Sequence, residues 1–200
     1  CYELALAEGL EHRDLLRRAL AHFQRVGDLE RSLTMVGSLL PTATDPDELA
    51  ALWLARGQNY ASGEGREKEA VEAFDMALSY DPACHEARDG LTLVLERLED
   101  WPQLLQVLEA TCDVGTAEQQ SAAMLRMANI SSDKLQDPDN AEQFLKRSVE
   151  IFPTLEALEQ LEQIYTFESG RLDERQDIVG LLTGFGPPWF ERCLELAKLL

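Results

Sequence analysis

Few residues of this 200-residue chain are of a type and spacing that do chemistry. Cys84 and His85 stand side by side, the raw material of a nucleophilic or zinc site. Neighbours in sequence rarely converge on one atom, however, and there are three histidines in all, so the pair reads as part of a surface loop. The four cysteines, Cys1, Cys84, Cys112 and Cys193, form no C-x-x-C pair and follow no regular spacing. That pattern suggests neither a zinc ribbon nor a disulfide framework, but free thiols in a reducing compartment, hence a cytoplasmic location. The D-P-D triplets at 45 and 137 begin like calcium loops but lack the turn glycine and the closing glutamate. No HExxH, P-loop, Ser/His/Asp set or glycine-rich strand-to-helix turn is present, and carboxylates are so many that any pair of them is uninformative. The expectation is a chain without catalysis, metal or cofactor, whose function rests on its surfaces.

Charge narrows the partners. There are 37 acidic residues against 18 basic ones, a formal charge of -19, spread along all four quarters of the chain. Such a field repels phosphate backbones and anionic lipid. The expected partner is a protein or peptide segment, basic or neutral, with no nucleic acid; oligomeric state is left open. The apolar stretches are helical faces interrupted by charge, far short of the roughly 20 residues that span a bilayer, so no membrane insertion is expected.

The elements that would position any surface are helices throughout. Apolar residues recur at three and four, as in Leu91, Leu95, Leu98 and Leu104, Leu105, Leu108. Short turns break the pattern at 26–28, 62–65, 98–100, 135–137 and 168–170. Asp28, Asp100 and Asp137 each precede a new helix, where a carboxylate accepts from the free first-turn amides and meets the positive end of the dipole. Pro46 and Pro138 fall at first helical positions, which tolerate a missing N–H. The chain opens on the helix-like CYELALAEGL and ends on WFERCLELAKLL, still in helical period, so it reads as a segment of a longer protein. The alternative, in which Cys1 carries the lipid of a bacterial envelope lipoprotein, fits poorly with a helix starting at once.

Internal repetition decides the fold class. GDLERSLTMVGSLL at 27–40 set above GRLDERQDIVGLLT at 170–183 aligns Gly27 with Gly170 and Gly37 with Gly180. AVEAFDMALSYDP places Ala70, Phe74, Ala77 and Pro82 at a spacing that Ala141, Leu145, Ser148 and Pro153 repeat. Small residues at Gly57, Ala70 and Ala77 let helices approach closely, Tyr60 and Phe74 fill the gap between one helix pair and the next, and Pro82 stops the helix. The site equivalent to Tyr60 is Phe23 in the first pair, Leu95 in the third, Ser131 in the fourth and Tyr165 in the fifth; the serine predicts looser packing there or a buried water.

Trp53, Gly57 and Tyr60 followed by Ala70, Phe74, Ala77 and Pro82 resemble the tetratricopeptide-repeat signature, W-x2-L-G-x2-Y then A-x3-F and P. Arg56 departs from it where leucine is usual, the turn before Ala70 is one residue long for it, and Arg175 stands at a small residue's place in the fifth pair. The resemblance implies an all-α fold, a right-handed solenoid of antiparallel helix hairpins in one domain over 1–200. On that template the pairs fall near 13–46, 50–84, 85–118, 121–153 and 155–185, with a partial sixth over 188–200.

In solenoids of this kind the first helix of each pair lines the concave side. The resemblance therefore implies a ligand groove along Arg17, Gln24 and Arg25, then Leu54 and Gln58, then Glu86, Asp89, Leu93 and Glu96, running from basic to acidic. It continues along Leu125, Asn129 and Ser132 and ends on Glu156, Glu159, Gln163 and Thr166. Taken one at a time, the same residues read equally as solvated helix faces of an acidic chain. Some members of the family grip a C-terminal carboxylate with lysine, arginine and asparagine; here only Arg17 and Asn129 offer such donors, and that activity is not carried over. The expected function is a protein-interaction module or assembly scaffold holding a peptide or helix of a partner. The alternative is a regulatory or spacer segment of a larger enzyme whose catalytic domain lies outside this chain.

Overall fold

The computed structural model describes residues 13–167 and 171–186. Among them are ten α-helices and no strand. They are α1 Arg13–Val26, α2 Leu29–Leu39, α3 Pro46–Ser62, α4 Glu67–Tyr80, α5 His85–Leu98, α6 Trp101–Val114, α7 Ala117–Asp133, α8 Pro138–Ile151, α9 Leu155–Phe167 and α10 Leu172–Leu182. Short 3-10 turns follow α2 and α10.

The helix ends follow the local chemistry. Asp28 accepts from the Arg31 amide at 3.2 Å, Asp100 from Gln103 at 3.2 Å and Asp137 from Asn140 at 3.1 Å, each satisfying an N–H that has no partner inside its helix. Pro46 and Pro138 occupy the first turns of α3 and α8, and Asp45 stands at the cap of α3 without a side-chain bond to it. Thr116 and Gln119 build a reciprocal capping box on α7 that the sequence reading passed over. α1 stops at Gly27, whose φ of +77° lets the Asp28 amide reach back to the Phe23 carbonyl at 2.9 Å. Glu99 plays the same part after α5 at φ +55°, with the Asp100 amide on the Leu95 carbonyl at 3.1 Å.

The chain divides into two compact units, 1–104 and 105–200, and the division falls within α6 and so within the third pair. In the first unit each helix from α1 to α5 packs on the next, and α3 also packs on α5. In the second α7 packs on α8, α8 on α9 and α9 on α10. The second pair begins at Pro46 and the fourth at Ala117, each four residues before the start the repeat template gave. The turn at 168–170 and the partial sixth pair from Pro188 lie outside the described residues.

The core of the first unit forms where α1, α2 and α3 meet, around Leu20, Phe23, Val36, Leu39 and Leu52. A buried hydrogen bond from the Asn59 amide to the Ser32 hydroxyl, 2.7 Å, ties α3 to α2 inside it. Farther along, Phe74 of α4 is 1 % exposed, and Ala70 and Ala77 beside it are wholly buried. A Cβ built on Gly57 of α3 would stand 2.6 Å from the Phe74 ring, and one on Gly90 of α5 would stand 2.5 Å from it. The ring is therefore held between two helix backbones, and both glycines are there because nothing larger fits. Only Gly57 was singled out from the sequence.

In the second unit the helix-facing positions recur with different side chains. Ala128, Ala141, Leu145, Ala157, Leu161 and Tyr165 form its core. Ser148, aligned with Ala77, brings a hydroxyl into a fully buried place; it stands 2.8 Å from the Ser121 hydroxyl and bonds the Ser121 carbonyl at 3.0 Å. The Ser121 hydroxyl also reaches the Phe152 carbonyl at 2.8 Å, so both buried hydroxyls are satisfied. Ser131, where looser packing or a buried water is expected, is 1 % exposed, and its carbonyl accepts from the Asp137 amide at 2.8 Å.

Two pairs of glycine substitutions separate packing from helix propensity. Gly57→Ala and Gly90→Ala are expected to destabilise by about 1 to 3 kcal/mol through overpacking against Phe74, less the gain of about 1 kcal/mol from the better helix former. Gly37→Ala and Gly180→Ala, where an added Cβ meets nothing within 4 Å, are expected to stabilise by about 0.5 to 1 kcal/mol. Urea titration of the four variants checks the sign at each site; stabilisation at Gly57 and Gly90 would mean that the ring is not clasped.

Candidate functional site

The residues of the expected groove fall into separate places. In the first unit Arg17 and Gln24 of α1 face Glu48, Ala51 and Ala55 of α3 across a cleft of about 250 Å³. Arg17 donates to Glu48 at 3.0 Å from Nε and 2.7 Å from a terminal nitrogen, and Arg13 binds the second oxygen of the same carboxylate. The Glu48 hydrogen bond raises the Arg17 guanidinium above its ordinary pKa. The expected basic start of the groove is thus corrected: Glu48, unread in the sequence, holds the charge of Arg17. Gln24 and Arg25 are exposed beyond it.

Farther along, Leu54 of α3 is half-buried and Gln58 exposed, on a helix that packs against α5. On α5 Glu86 and Asp89 are exposed, Leu93 is 49 % exposed and Glu96 is half-buried. Cys84 ends the loop before α5 and His85 is the first residue of that helix, with the Cys84 thiol 3.8 Å from Glu86 and His85 Nδ1 3.5 Å from Arg88. The Arg97 guanidinium bonds the Ala61 carbonyl at 2.8 Å, joining the ends of α5 and α3.

In the second unit Asn129, Ser132 and Gln163 come together. They line a cleft of about 470 Å³ between α7 and α9, along with Asp133 and Gln160, which the sequence reading did not name. Glu156 and Glu159 are exposed on α9, whereas Leu125 is half-buried and packs on the core. The Thr166 hydroxyl turns back to the Glu162 carbonyl at 2.7 Å. A further cleft of about 370 Å³ lies on the second-helix side of the first unit, where Lys68, Val71 and Glu72 of α4 face Leu98, Asp100 and Gln103.

The departures from the repeat signature have physical reasons. Arg56 lays its guanidinium 5.2 Å from the Trp53 ring centroid and 5.4 Å from that of Tyr60, and donates to the Tyr60 hydroxyl at 3.1 Å. Arg66 covers the same tyrosine at 4.3 Å. Its stem and plane thus do a leucine's covering work with a charge added. Arg175 stands over Glu162, a carboxylate only 3 % exposed, and binds it at 2.8 and 2.9 Å. Tyr165 repeats the Tyr60 arrangement: Arg171 covers its ring at 4.7 Å, and its hydroxyl donates to Glu142 at 3.2 Å. Arg171 also binds Glu142 through both terminal nitrogens at 2.8 and 2.9 Å, and Lys146 reaches it at 2.6 Å. The Arg171 hydrogen bonds, with Lys146 assisting against burial, hold the Glu142 carboxyl down at about 2. Glu142 and Lys146 were visible in the sequence as an i, i+4 pair; Arg171, from another helix, was not.

Among the described residues no three His, Cys, Asp or Glu side chains gather as a metal site, and no helix is long and apolar enough to cross a membrane. No family model and no curated protein matches the sequence. Solved structures do match. A crystal structure of MamA aligns at 16 % identity with a TM-score of 0.56, over 93 % of this chain and 92 % of its own. MamA 41-end from Desulfovibrio magneticus RS-1 aligns at 19 % identity and 0.50, over 93 % and 95 %. YrrB, described as a TPR protein with an unusual peptide-binding site, aligns at 20 % identity and 0.54, over 89 % and 92 %. The fold is that of a TPR protein. The TPR arrangement accounts for the recurrence of the buried positions Phe23, Tyr60, Leu95 and Tyr165.

The Glu142 cluster gives an acid-sensitive stability. Its folded carboxyl is depressed below the ordinary value of 4.5, so its contribution is complete above about pH 4.5 and is lost as pH falls toward about 2. Glu142→Gln is expected to lower stability by about 1 to 3 kcal/mol at pH 7, with the gap from the unaltered chain narrowing as pH falls from 5 to 3. Denaturant titrations at several pH values read this directly; a gap that stays constant over that range would show that the charge is not what stabilises.

Proposed function

We propose that this chain is a non-catalytic protein-interaction module or assembly scaffold that holds a peptide or helix of a partner against the first helices of its pairs. The observation that carries the reading is the outer face of α5. Glu86, Asp89 and Leu93 are three and four residues apart, so they share one helical face, and all three are exposed. A 49 % exposed leucine between carboxylates suits a partner that brings lysine or arginine to the acids and an apolar side chain to Leu93. The cleft between α1 and α3 in the first unit and that between α7 and α9 in the second each support the reading, since each opens between first helices of adjacent pairs. The fold shared with YrrB, whose description includes a peptide-binding site, is in keeping with it.

Affinity capture with crosslinking from the native source names the partner. Glu86→Lys with Asp89→Lys is then expected to weaken that partner's binding by more than about tenfold and to leave helicity unchanged, and the unaltered chain should lose affinity as salt shortens the Debye length below about 8 Å. Glu69→Lys with Glu72→Lys, on α4, serves as the matched control and is expected to matter little. Equal losses from both double variants, or none from the first, would place binding on the second-helix side.

A further inference from the structure

The place that a ring fills between α3 and α5 is taken by a leucine between α7 and α9, where Ala128, Ala141 and Leu145 are 1 to 3 % exposed and form the floor of a cleft. Gly57, Ala70, Phe74 and Gly90 of the first unit align with Ala128, Ala141, Leu145 and Gln160 of the second. In the first unit the Phe74 ring occupies the space between α3 and α5, clasped by its two glycines. In the second a leucine stands in for the ring and a glutamine for the second glycine, and the cleft of about 470 Å³ remains between α7 and α9. Ala128, Ala141 and Leu145 line it from the core, while Asn129, Ser132 and Gln163 line it from the surface side.

We propose that this cleft seats one aromatic side chain, a phenylalanine, from an extended segment of a partner protein. The inference rests on the interaction-module reading and names the anchor of its second unit: the partner supplies the ring that the chain supplies for itself in the first. The chemistry of the rim fits a peptide. The amides of Asn129 and Gln163 each carry a donor and an acceptor, the complement of a backbone peptide group. Asp133 at the edge, in a chain of charge -19, favours a lysine or arginine beside the anchoring ring. An extended backbone suits the site because its amides are free to bond outward, whereas those of a helix are already spent.

The test uses the 200-residue chain, isotopically labelled, titrated by NMR with Ac-Gly-Phe-Lys-Gly-amide and with Ac-Gly-Ala-Lys-Gly-amide. The expected result is shift changes centred on residues 128–133 and 160–164, with the phenylalanine peptide binding about tenfold or more tightly than the alanine peptide. Leu145→Phe with Gln160→Gly rebuilds the filling of the first unit and is expected to abolish that preference. Ser132→Trp blocks the mouth from an exposed position and should give the same loss without touching the core. Equal affinity for the two peptides, no shifts at millimolar peptide, or a preference that survives both variants would overturn the inference. Shifts centred instead on Glu86 to Glu96 with no preference for phenylalanine would overturn it too, while leaving the interaction-module reading standing.

Discussion

The distance between successive first helices is set by what stands between them, and in the first unit that is one ring. Phe74 touches the places where Gly57 and Gly90 would carry side chains, so the two helices meet across a single aromatic thickness. The close approach is what lets Ala70 and Ala77 be wholly buried. Each atom contact there is worth only ~0.1 to 0.2 kcal/mol, but a ring enclosed on both faces makes many of them. A chain built of hairpins has no long-range sheet to fix its geometry; it has these contacts, repeated.

Where the sequence varies the packing residues, it adds polar groups only with their partners. Ser148 enters at an alanine's position together with Ser121, and each hydroxyl finds a carbonyl. Arg175 arrives at a small residue's position together with Glu162, a buried carboxylate that it binds at 2.8 and 2.9 Å and that also accepts from the Thr166 hydroxyl at 3.0 Å. Arg66 and Arg171 each stand at the start of a second helix and lie over the tyrosine that closes the first, Tyr60 and Tyr165. In a chain with about twice as many acids as bases, these arginines lie on aromatic faces and carboxylates.

This division explains what could be read from the sequence. Helix periodicity, the Asp caps and the Ala70, Phe74, Ala77 spacing are local, and local patterns survive in a string: Asp28, Asp100 and Asp137 cap their helices as read. Glu48 under Arg17, Arg171 on Glu142 and Gly90 against Phe74 join residues of different helices, and no spacing along the chain announces them. Of the groove, the sequence could mark which helix faces point outward, since that follows from the period. It could not tell that Leu125 packs on the core, that Arg17 is already paired, or that Asn129, Ser132 and Gln163 border one cleft. The repeat template sets the second and fourth pairs at 50 and 121, four residues inside α3 and α7, which are each 17 residues long; the local signal of Pro46 at a first helical position gives the start of α3 correctly.

The filling of the space between first helices also decides what each unit has left for binding. A ring closes the space between α3 and α5, so recognition of the kind proposed rests there on side chains on the outside, which on α5 are carboxylates around an exposed leucine. Charges at such a surface act at long range and govern encounter, and they discriminate poorly among basic partners. With a leucine in the ring's place, a cleft lies between α7 and α9, lined by the amides of Asn129, Gln160 and Gln163 and the Asp133 carboxylate above apolar atoms. In the binding proposed above, a cleft of that composition adds selection by shape to the attraction of Asp133, because an apolar anchor must fit while the backbone beside it finds hydrogen-bond partners. On the interaction-module reading proposed above, one repeated packing position, occupied by Phe74 in one unit and Leu145 in the other, is what separates attraction from selection within a single chain.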